Sequence, residues 1–123
     1  MGNKNMIKWI YKRIIRKIDL PKNQLIELNK RLLSENICKG SWVEGEKNCP
    51  NTTALAIRED VGRFKVDSGV KQLLLKKYRV SSVELWIFYV IFDIPAMISQ
   101  RFFEKSLTSM KTAIDELILE RFY

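Results

Sequence analysis

Apolar residues recur at intervals of three and four along most of this chain, and this spacing is the feature that most limits its fold. Between residues 5 and 18, apolar side chains keep this interval while basic residues fill the positions between them. Such a pattern places one apolar stripe along an α-helix. Few stretches alternate apolar and polar residues as a half-exposed strand would. The sequence therefore predicts an all-α fold, a compact single-domain bundle of six or seven short helices.

Proline, glycine and cap residues divide this single domain, residues 1–123, into three parts. Pro21 separates two helices. Because the connection between them is short, they are predicted to pack as an antiparallel or crossed pair, a basic helical hairpin over residues 1–35. Turn-forming residues predict a structured loop at about 37–51, and the second part of the domain, residues 36–51, contains it. Residues 52–123 then form a near-neutral helical core. Helices of this core are predicted to start at Asn51 or Thr52, at Ser68, at Ser81, and at Ser106 or Thr108.

Eight apolar residues follow one another from Leu85 to Phe92. A membrane-spanning helix needs about 20 predominantly apolar residues, and charged residues close this run on both sides. Ser81 and Glu84 have the spacing of a capping box, which favours a helix, although the β-branched and aromatic composition leaves a strand as the alternative. We expect this run to be the buried centre of the bundle.

The sequence contains no histidine, which excludes Ser-His-Asp, Cys-His and His-metal mechanisms. Two cysteines, Cys38 and Cys49, cannot complete a four-ligand zinc site. Because the sequence shows no secretory signal, we expect a cytoplasmic protein in which both cysteines are free thiols. Cys49 precedes a predicted helix, whose free amides could lower the pKa of its thiol. Chemistry at Cys49 is the remote alternative, because no base accompanies it. We therefore predict no catalytic residue, no metal and no cofactor.

Most of the net charge of +8 lies in one part of the chain. Residues 1–31 contain nine basic and two acidic residues, whereas the remainder contains 13 and 12. Basic side chains at every fourth position of the first helix, with two more beside them, would contact phosphates without reading base sequence. Acidic side chains of the last helix, among them Glu116 and Glu120, are expected to form a solvated face. The candidate anion-binding residues, here called the basic ridge, are Lys4, Lys8, Lys12, Arg13, Arg16 and Lys17.

The loop after the first two helices is the second candidate surface. It holds a tryptophan close to two glycines and several charged residues. A loop of this length with its own apolar anchor is typical of a partner-binding segment. The candidate contact residues are Trp42, Glu44, Glu46 and Lys47.

These features predict a small non-enzymatic binding or regulatory protein whose basic N-terminal helices contact an anionic partner. Nucleic acid, or a nucleic-acid-processing complex, is the leading partner, and such basic regulators fit phages and mobile elements. A sequence-reading helix-turn-helix over residues 72–88 is disfavoured, because its second helix would present apolar side chains to the bases. The alternative is a protein–protein adaptor or inhibitor that uses the basic ridge and the 38–53 loop. Peripheral association with an anionic membrane is third.

Overall fold

The chain forms an all-α bundle, which confirms the fold class that the apolar spacing predicts. The computed structural model describes residues 3–122, and the side chains of residues 5–122. An antiparallel hairpin of two short strands lies in the loop between the second and third helices, and two π-helical segments, Leu73–Lys77 and Tyr89–Asp93, continue the fourth and fifth helices. The elements are α1 (Asn3–Ile18), α2 (Lys22–Arg31), β1 (Val43–Glu44), β2 (Lys47–Asn48), α3 (Pro50–Arg58), α4 (Val70–Gln72), α5 (Ser82–Phe88), α6 (Ile94–Ile98) and α7 (Gln100–Phe122).

The long helix α7 organises the core, because α1, α2 and α6 all pack along it. Its buried stripe includes Met110 and Ile114, which join fully buried side chains of α1 such as Ile10 and Ile14 in one apolar cluster. Burying each aliphatic side chain of this size stabilises the fold by about 1.5–3 kcal/mol. Both α1 and α2 pack against α7 and α3 rather than chiefly against each other. The principal partner of α1 is therefore a helix some hundred residues away, and not its predicted hairpin neighbour α2.

The apolar run Leu85–Phe92 is helical, and a capping box starts it as predicted. The Glu84 N–H donates to Ser81 Oγ at 3.1 Å, and the Ser81 N–H donates to Glu84 Oε1 at 2.9 Å. The expectation that the whole run is buried is wrong. The side chain of Trp86 is 65% exposed, because a helix turns successive side chains to different sides and only one side of this run faces α1 and α7. The buried members are Leu85, Phe88 and Phe92.

The helices α3 and α4 start at other residues than the cap pattern predicts. Cys49 caps α3, its Sγ accepting a hydrogen bond from the Thr52 N–H at 3.3 Å, and Pro50 takes the first helical position. Proline is favoured there because its missing N–H has no partner within the helix. Gly69, at φ +87°, and not Ser68, stands before α4.

The last helix also starts elsewhere than predicted. Ser99 leaves the helical conformation, and its Oγ accepts from the Phe102 N–H at 3.1 Å. From there α7 runs without a break through Ser106 and Thr108, the two predicted caps. Ser106 is buried within the helix, where its hydroxyl contacts no hydrogen-bond partner among the described residues. A residue type suited to a cap therefore does not by itself end a helix whose apolar stripe continues.

The π-helical segment Tyr89–Asp93 changes which residues of the central helical stretch face inward. One extra residue in a turn rotates the following side chains by about 100° relative to an uninterrupted α-helix. Asp93 is only 9% exposed at the end of this segment. The chain then continues into α6 past Pro95, which has no N–H to donate to the preceding turn. The end of the apolar run at Asp93 is thus a local widening of a continuing helical stretch, and not the end of the helix.

Candidate functional site

The basic ridge lies along α7. Lys8 Nζ is 2.6 Å from Glu116 Oε2, and Lys12 Nζ is 2.5 Å from Glu116 Oε1 and 3.1 Å from Glu120 Oε1. Arg16 Nη2 donates to Glu120 Oε2 at 2.8 Å. The hydrogen bonds from Lys12 and Lys8 hold the pKa of Glu116 below its usual value, and those from Arg16 and Lys12 do the same for Glu120. The two glutamates predicted to be merely solvated therefore partly neutralise the ridge.

The remaining ridge residues converge on α5. Arg13 Nε donates to Glu84 Oε2 at 2.8 Å, and Lys17 Nζ donates to Glu84 Oε1 at 2.5 Å. Glu84 is 4% exposed. Burial by itself raises the pKa of Glu84, but hydrogen bonds from Lys17 and Ser81 outweigh it and keep that pKa low. The side chain of Lys4, the other predicted ridge residue, lies outside the described side chains.

Exposed cations without a carboxylate partner concentrate in another part of the chain, residues 63–79, here called the basic segment. Four of its basic side chains are exposed and lie more than 4 Å from every described carboxylate. They are Lys65, Lys71, Lys76 and Arg79. Charge counted along the sequence could not reveal this segment, because the ion pairs of the ridge join residues between 67 and 108 positions apart.

The predicted contact loop divides into two parts in the structure. Glu44, Glu46 and Lys47 are exposed on the β-hairpin, and Glu46 Oε1 lies 3.3 Å from Arg63 Nη2. Trp42, in contrast, is partly buried against the core. The structure therefore does not bring the four predicted residues together in one surface, and it places Trp42 in the wall of a partly open cavity.

That cavity has a volume of about 290 Å³ and lies under the loop, against the start of α3 and the stretch formed by α5 and its π-helical extension. Ligand sites typically start at about this size and combine apolar walls with a few polar groups. Trp42, Leu85, Phe88 and Tyr89 contribute the apolar and aromatic part of the wall.

Asp93 is the buried carboxylate of this cavity. The Gly40 N–H donates to Asp93 Oδ1 at 3.0 Å, and no described cation pairs with it. Burial raises the pKa of Asp93 to about 6, against a smaller lowering by the Gly40 hydrogen bond. A side chain at Gly40 would be strained, since its φ is +84°, and a Cβ would lie 2.5 Å from Met97 Sδ, which would have to move. The sequence analysis did not predict Asp93 as a site residue. One signal was present, because no basic residue lies within four positions of Asp93 to pair with its carboxylate.

Asn51 supplies a second polar group to the same cavity. It is 1% exposed, and its Oδ1 has no hydrogen-bond partner among the described residues. A buried polar atom without a partner costs about 1–3 kcal/mol, so each such atom calls for an explanation. The sequence interpretation treated Asn51 only as a possible helix cap, a role that Cys49 takes instead.

The two cysteines are free, buried thiols. Burial, together with the charge of Asp93, raises the pKa of Cys49 to about 12, despite hydrogen bonds from Thr52 that act in the opposite direction. Burial also raises the pKa of Cys38 to about 11. The hypothesis that the start of α3 lowers the pKa of Cys49 is wrong, because the loss of solvent outweighs the helix terminus. Both side chains are thiols, not thiolates, at neutral pH.

Within residues 3–122, no three side chains of Cys, Asp or Glu come together as a metal site would require. No helix in that part of the chain is long and apolar enough to cross a bilayer. Comparison with protein families, with curated proteins and with solved structures found nothing that matches this chain. Its function therefore has to be inferred from the chemistry of the basic segment and the cavity.

Proposed function

We propose that this chain is a small binding protein for nucleic acid, and that the basic segment makes the phosphate contacts. The observation that supports this is the exposure of Lys65, Lys71, Lys76 and Arg79 without a carboxylate partner. Cations of this kind displace the counterions that surround a phosphate backbone, and this release drives binding without sequence preference. The role that we propose for this binding is regulatory and non-enzymatic.

The ion pairs of α1 make the basic ridge the weaker candidate. Its five described cations share three carboxylates, Glu84, Glu116 and Glu120. A phosphate that contacts this ridge must compete with carboxylates already within hydrogen-bond distance, and it also experiences their repulsion. The proposed interface therefore moves from the N-terminal helix, where the sequence predicts it, to residues 63–79.

The backbone at Arg79 gives this segment a second unusual property. Arg79 has φ +59° and ends the π-helical segment, a position that glycine or asparagine normally takes. A larger residue in this conformation costs about 1 kcal/mol, and such strain is often found at binding sites. An arginine there places an exposed, unpaired guanidinium at the end of the helical turn.

The test is the salt dependence of binding to a mixed-sequence DNA duplex and to single-stranded RNA. We expect the variant K71Q/K76Q/R79Q to bind more weakly, with a plot of log affinity against log salt that is shallower by about 2.7 for duplex DNA, or about 0.9 per contact.

The matched control is K30Q/K47Q/R101Q, which removes the same charges from exposed positions without carboxylate partners elsewhere. Equal losses in the two variants would reject the basic segment as the interface. Absence of salt-dependent binding in the wild-type protein would reject nucleic acid as the partner.

A third variant, K8Q/K12Q/R16Q, tests the ridge directly. Loss of binding in this variant alone would return the interface to α1. Thermal unfolding must accompany it, since these residues also join α1 to α7.

A protein partner is the second candidate, because apolar side chains are exposed along the stretch from α5 to α6. Val83, Trp86 and Ile98 are between 64% and 83% exposed. Exposed apolar patches mark sites of protein interaction when they are contiguous. A stoichiometric protein that copurifies after nuclease treatment, and is lost in Trp86→Gln but not in K71Q/K76Q/R79Q, would favour this function over nucleic-acid binding.

A further inference from the structure

We propose that the cavity under the hairpin loop binds a small organic cation, a primary ammonium compound with an apolar body. This cavity shares Asp67 with the basic segment but is lined by none of its four unpaired cations, and the proposal does not depend on nucleic-acid binding. It assigns a ligand to buried polar groups that have no other explanation in the fold.

The buried polar lining of the cavity includes two acceptor groups with few or no donors. Asp93 has one hydrogen bond, from a backbone N–H, and Asn51 Oδ1 has none. A second carboxylate, that of Asp67, also lines the cavity, whereas no lysine or arginine does so among the described residues. A ligand that brings N–H donors and a positive charge would satisfy the buried acceptors and compensate the unpaired carboxylate.

The apolar lining suits the same class of ligand. Trp42, Phe88 and Tyr89 are aromatic, and aromatic faces attract cations while they also pack against hydrocarbon. At about 290 Å³ the cavity accommodates a compound the size of one side chain or a small metabolite, and not a nucleotide.

An anionic ligand is disfavoured, because backbone N–H groups at the start of α3 already donate hydrogen bonds within the protein. Helix N-termini bind anions through free N–H groups. Here Pro50 has no N–H, while the N–H groups of Thr52 and Thr53 donate to Cys49. The nearby carboxylates would repel an anion as well. The start of α3 therefore adds little to anion binding in this cavity.

The probe series consists of three compounds with one skeleton and different end groups: 2-phenylethylamine, 2-phenylethanol and phenylacetate. We expect the amine alone to bind, with millimolar or tighter affinity. The Gly40 amide resonance is the local reporter in NMR titrations, because this N–H donates to Asp93. Binding of the alcohol or of phenylacetate as tightly as the amine, or no binding of the amine at 10 mM, would overturn the proposal.

The variant Asp93→Asn removes the charge while its amide oxygen can still accept from Gly40. We expect it to weaken amine binding roughly 10- to 100-fold, the range for losing a hydrogen bond to a charged group. Asp60→Asn, an exposed position outside the cavity, is the control and is expected to bind as the wild type does. Equal affinities of the two variants would also overturn the proposal.

The pH dependence of the wild-type protein provides a test without a variant. Amine binding is expected to weaken as Asp93 is protonated, with a midpoint near its pKa of about 6. The other titratable groups that line the cavity are Asp67, Cys49 and Tyr89, and Cys38 lies close by. Affinity that stays constant between pH 5 and pH 8 would contradict the role of Asp93.

A lysine side chain of another protein offers the same ammonium group as a free amine. Nα-acetyl-lysine N-methylamide distinguishes the two sources. Binding of this compound as tightly as 2-phenylethylamine would identify a protein lysine as the natural ligand, and preference for 2-phenylethylamine would identify a free amine.

Discussion

Two buried carboxylates on the central helical stretch differ in what surrounds them. Glu84 receives hydrogen bonds from Arg13, Lys17 and Ser81, and its pKa is lowered. Asp93 receives one, from a backbone N–H, and burial raises its pKa. Because a carboxylate with a lowered pKa stabilises the folded state at neutral pH and one with a raised pKa destabilises it, the two residues have opposite effects on the free energy of unfolding.

The variant Asp93→Asn is expected to be more stable than the wild type at pH 7.5. With a pKa of about 6 against an ordinary value of 3.8, ionised Asp93 costs up to about 3 kcal/mol. The folded state binds the extra proton between these two pH values, so the cost is small near pH 4, grows between them and is complete above about pH 6. Urea unfolding at pH 4 and pH 7.5 measures the difference. An equal stability gain at both pH values would show that the charge is not its cause.

Tyr11 is expected to stabilise the contact between α1 and the start of α3. Its hydroxyl is fully buried and donates to the Pro50 carbonyl at 3.0 Å. Tyr11→Phe removes this buried hydrogen bond and should lower the free energy of unfolding by about 1–2 kcal/mol. Tyr89→Phe, which removes a hydroxyl from an exposed side chain, is the control in urea unfolding and should change stability by less than about 0.5 kcal/mol.

At the scale of elements, local patterns predicted what local contacts determine. The capping box at Ser81 and the apolar stripe of α1 are properties of neighbouring residues, and both are confirmed. Other features depend on how the helices pack, and neighbouring residues in the sequence do not determine that packing. They are the start of α7 after Ser99, the π-helical turns and the burial of Asp93. The cavity was beyond sequence reasoning for the same reason, since its wall combines a loop, a helix start and a distant helical stretch.

Ser99 and Ser106 allow a direct test of the observed and the predicted start of α7. Ser99→Ala removes the acceptor of the Phe102 N–H and is expected to lower the free energy of unfolding by about 1 kcal/mol. Ser106→Ala removes a buried hydroxyl without a partner among the described residues, and is expected to be neutral or slightly stabilising. Chemical unfolding of both variants measures these effects. The reverse order of stabilities would place the helix start at Ser106.

At the scale of the whole molecule, the ion pairs redistribute the charge that the sequence concentrates in its N-terminal third. The ridge of α1 is partly neutralised by α7, and exposed unpaired cations remain in the basic segment. The surface that an anion meets therefore differs from the one that charge counting predicts. This field would steer the anionic partner proposed above toward residues 63–79.

The variant E116Q/E120Q is expected to lower stability at neutral pH and to flatten its acid dependence. Both carboxyl groups have lowered pKa values, so their contribution is complete above the ordinary value of 4.5 and is lost as the pH falls through the lower folded pKa. As exposed pairs they contribute about 1 kcal/mol together, and less at high salt. The control is E35Q/E44Q, at exposed positions without ion pairs. Equal acid dependence of the two variants would contradict a role for the α1–α7 pairs.

The packing of α1 on α7 also has a consequence for protein synthesis. The isoleucines of α1, among them Ile10 and Ile14, are covered largely by a helix that the ribosome makes about a hundred residues later. During this interval the nascent chain presents an apolar helix without its partner, a situation in which chaperones bind and aggregation starts. The protein is therefore expected to acquire its core only after residues 100–122 have left the exit tunnel, and ribosome-bound chains that end before α7 should remain sensitive to protease.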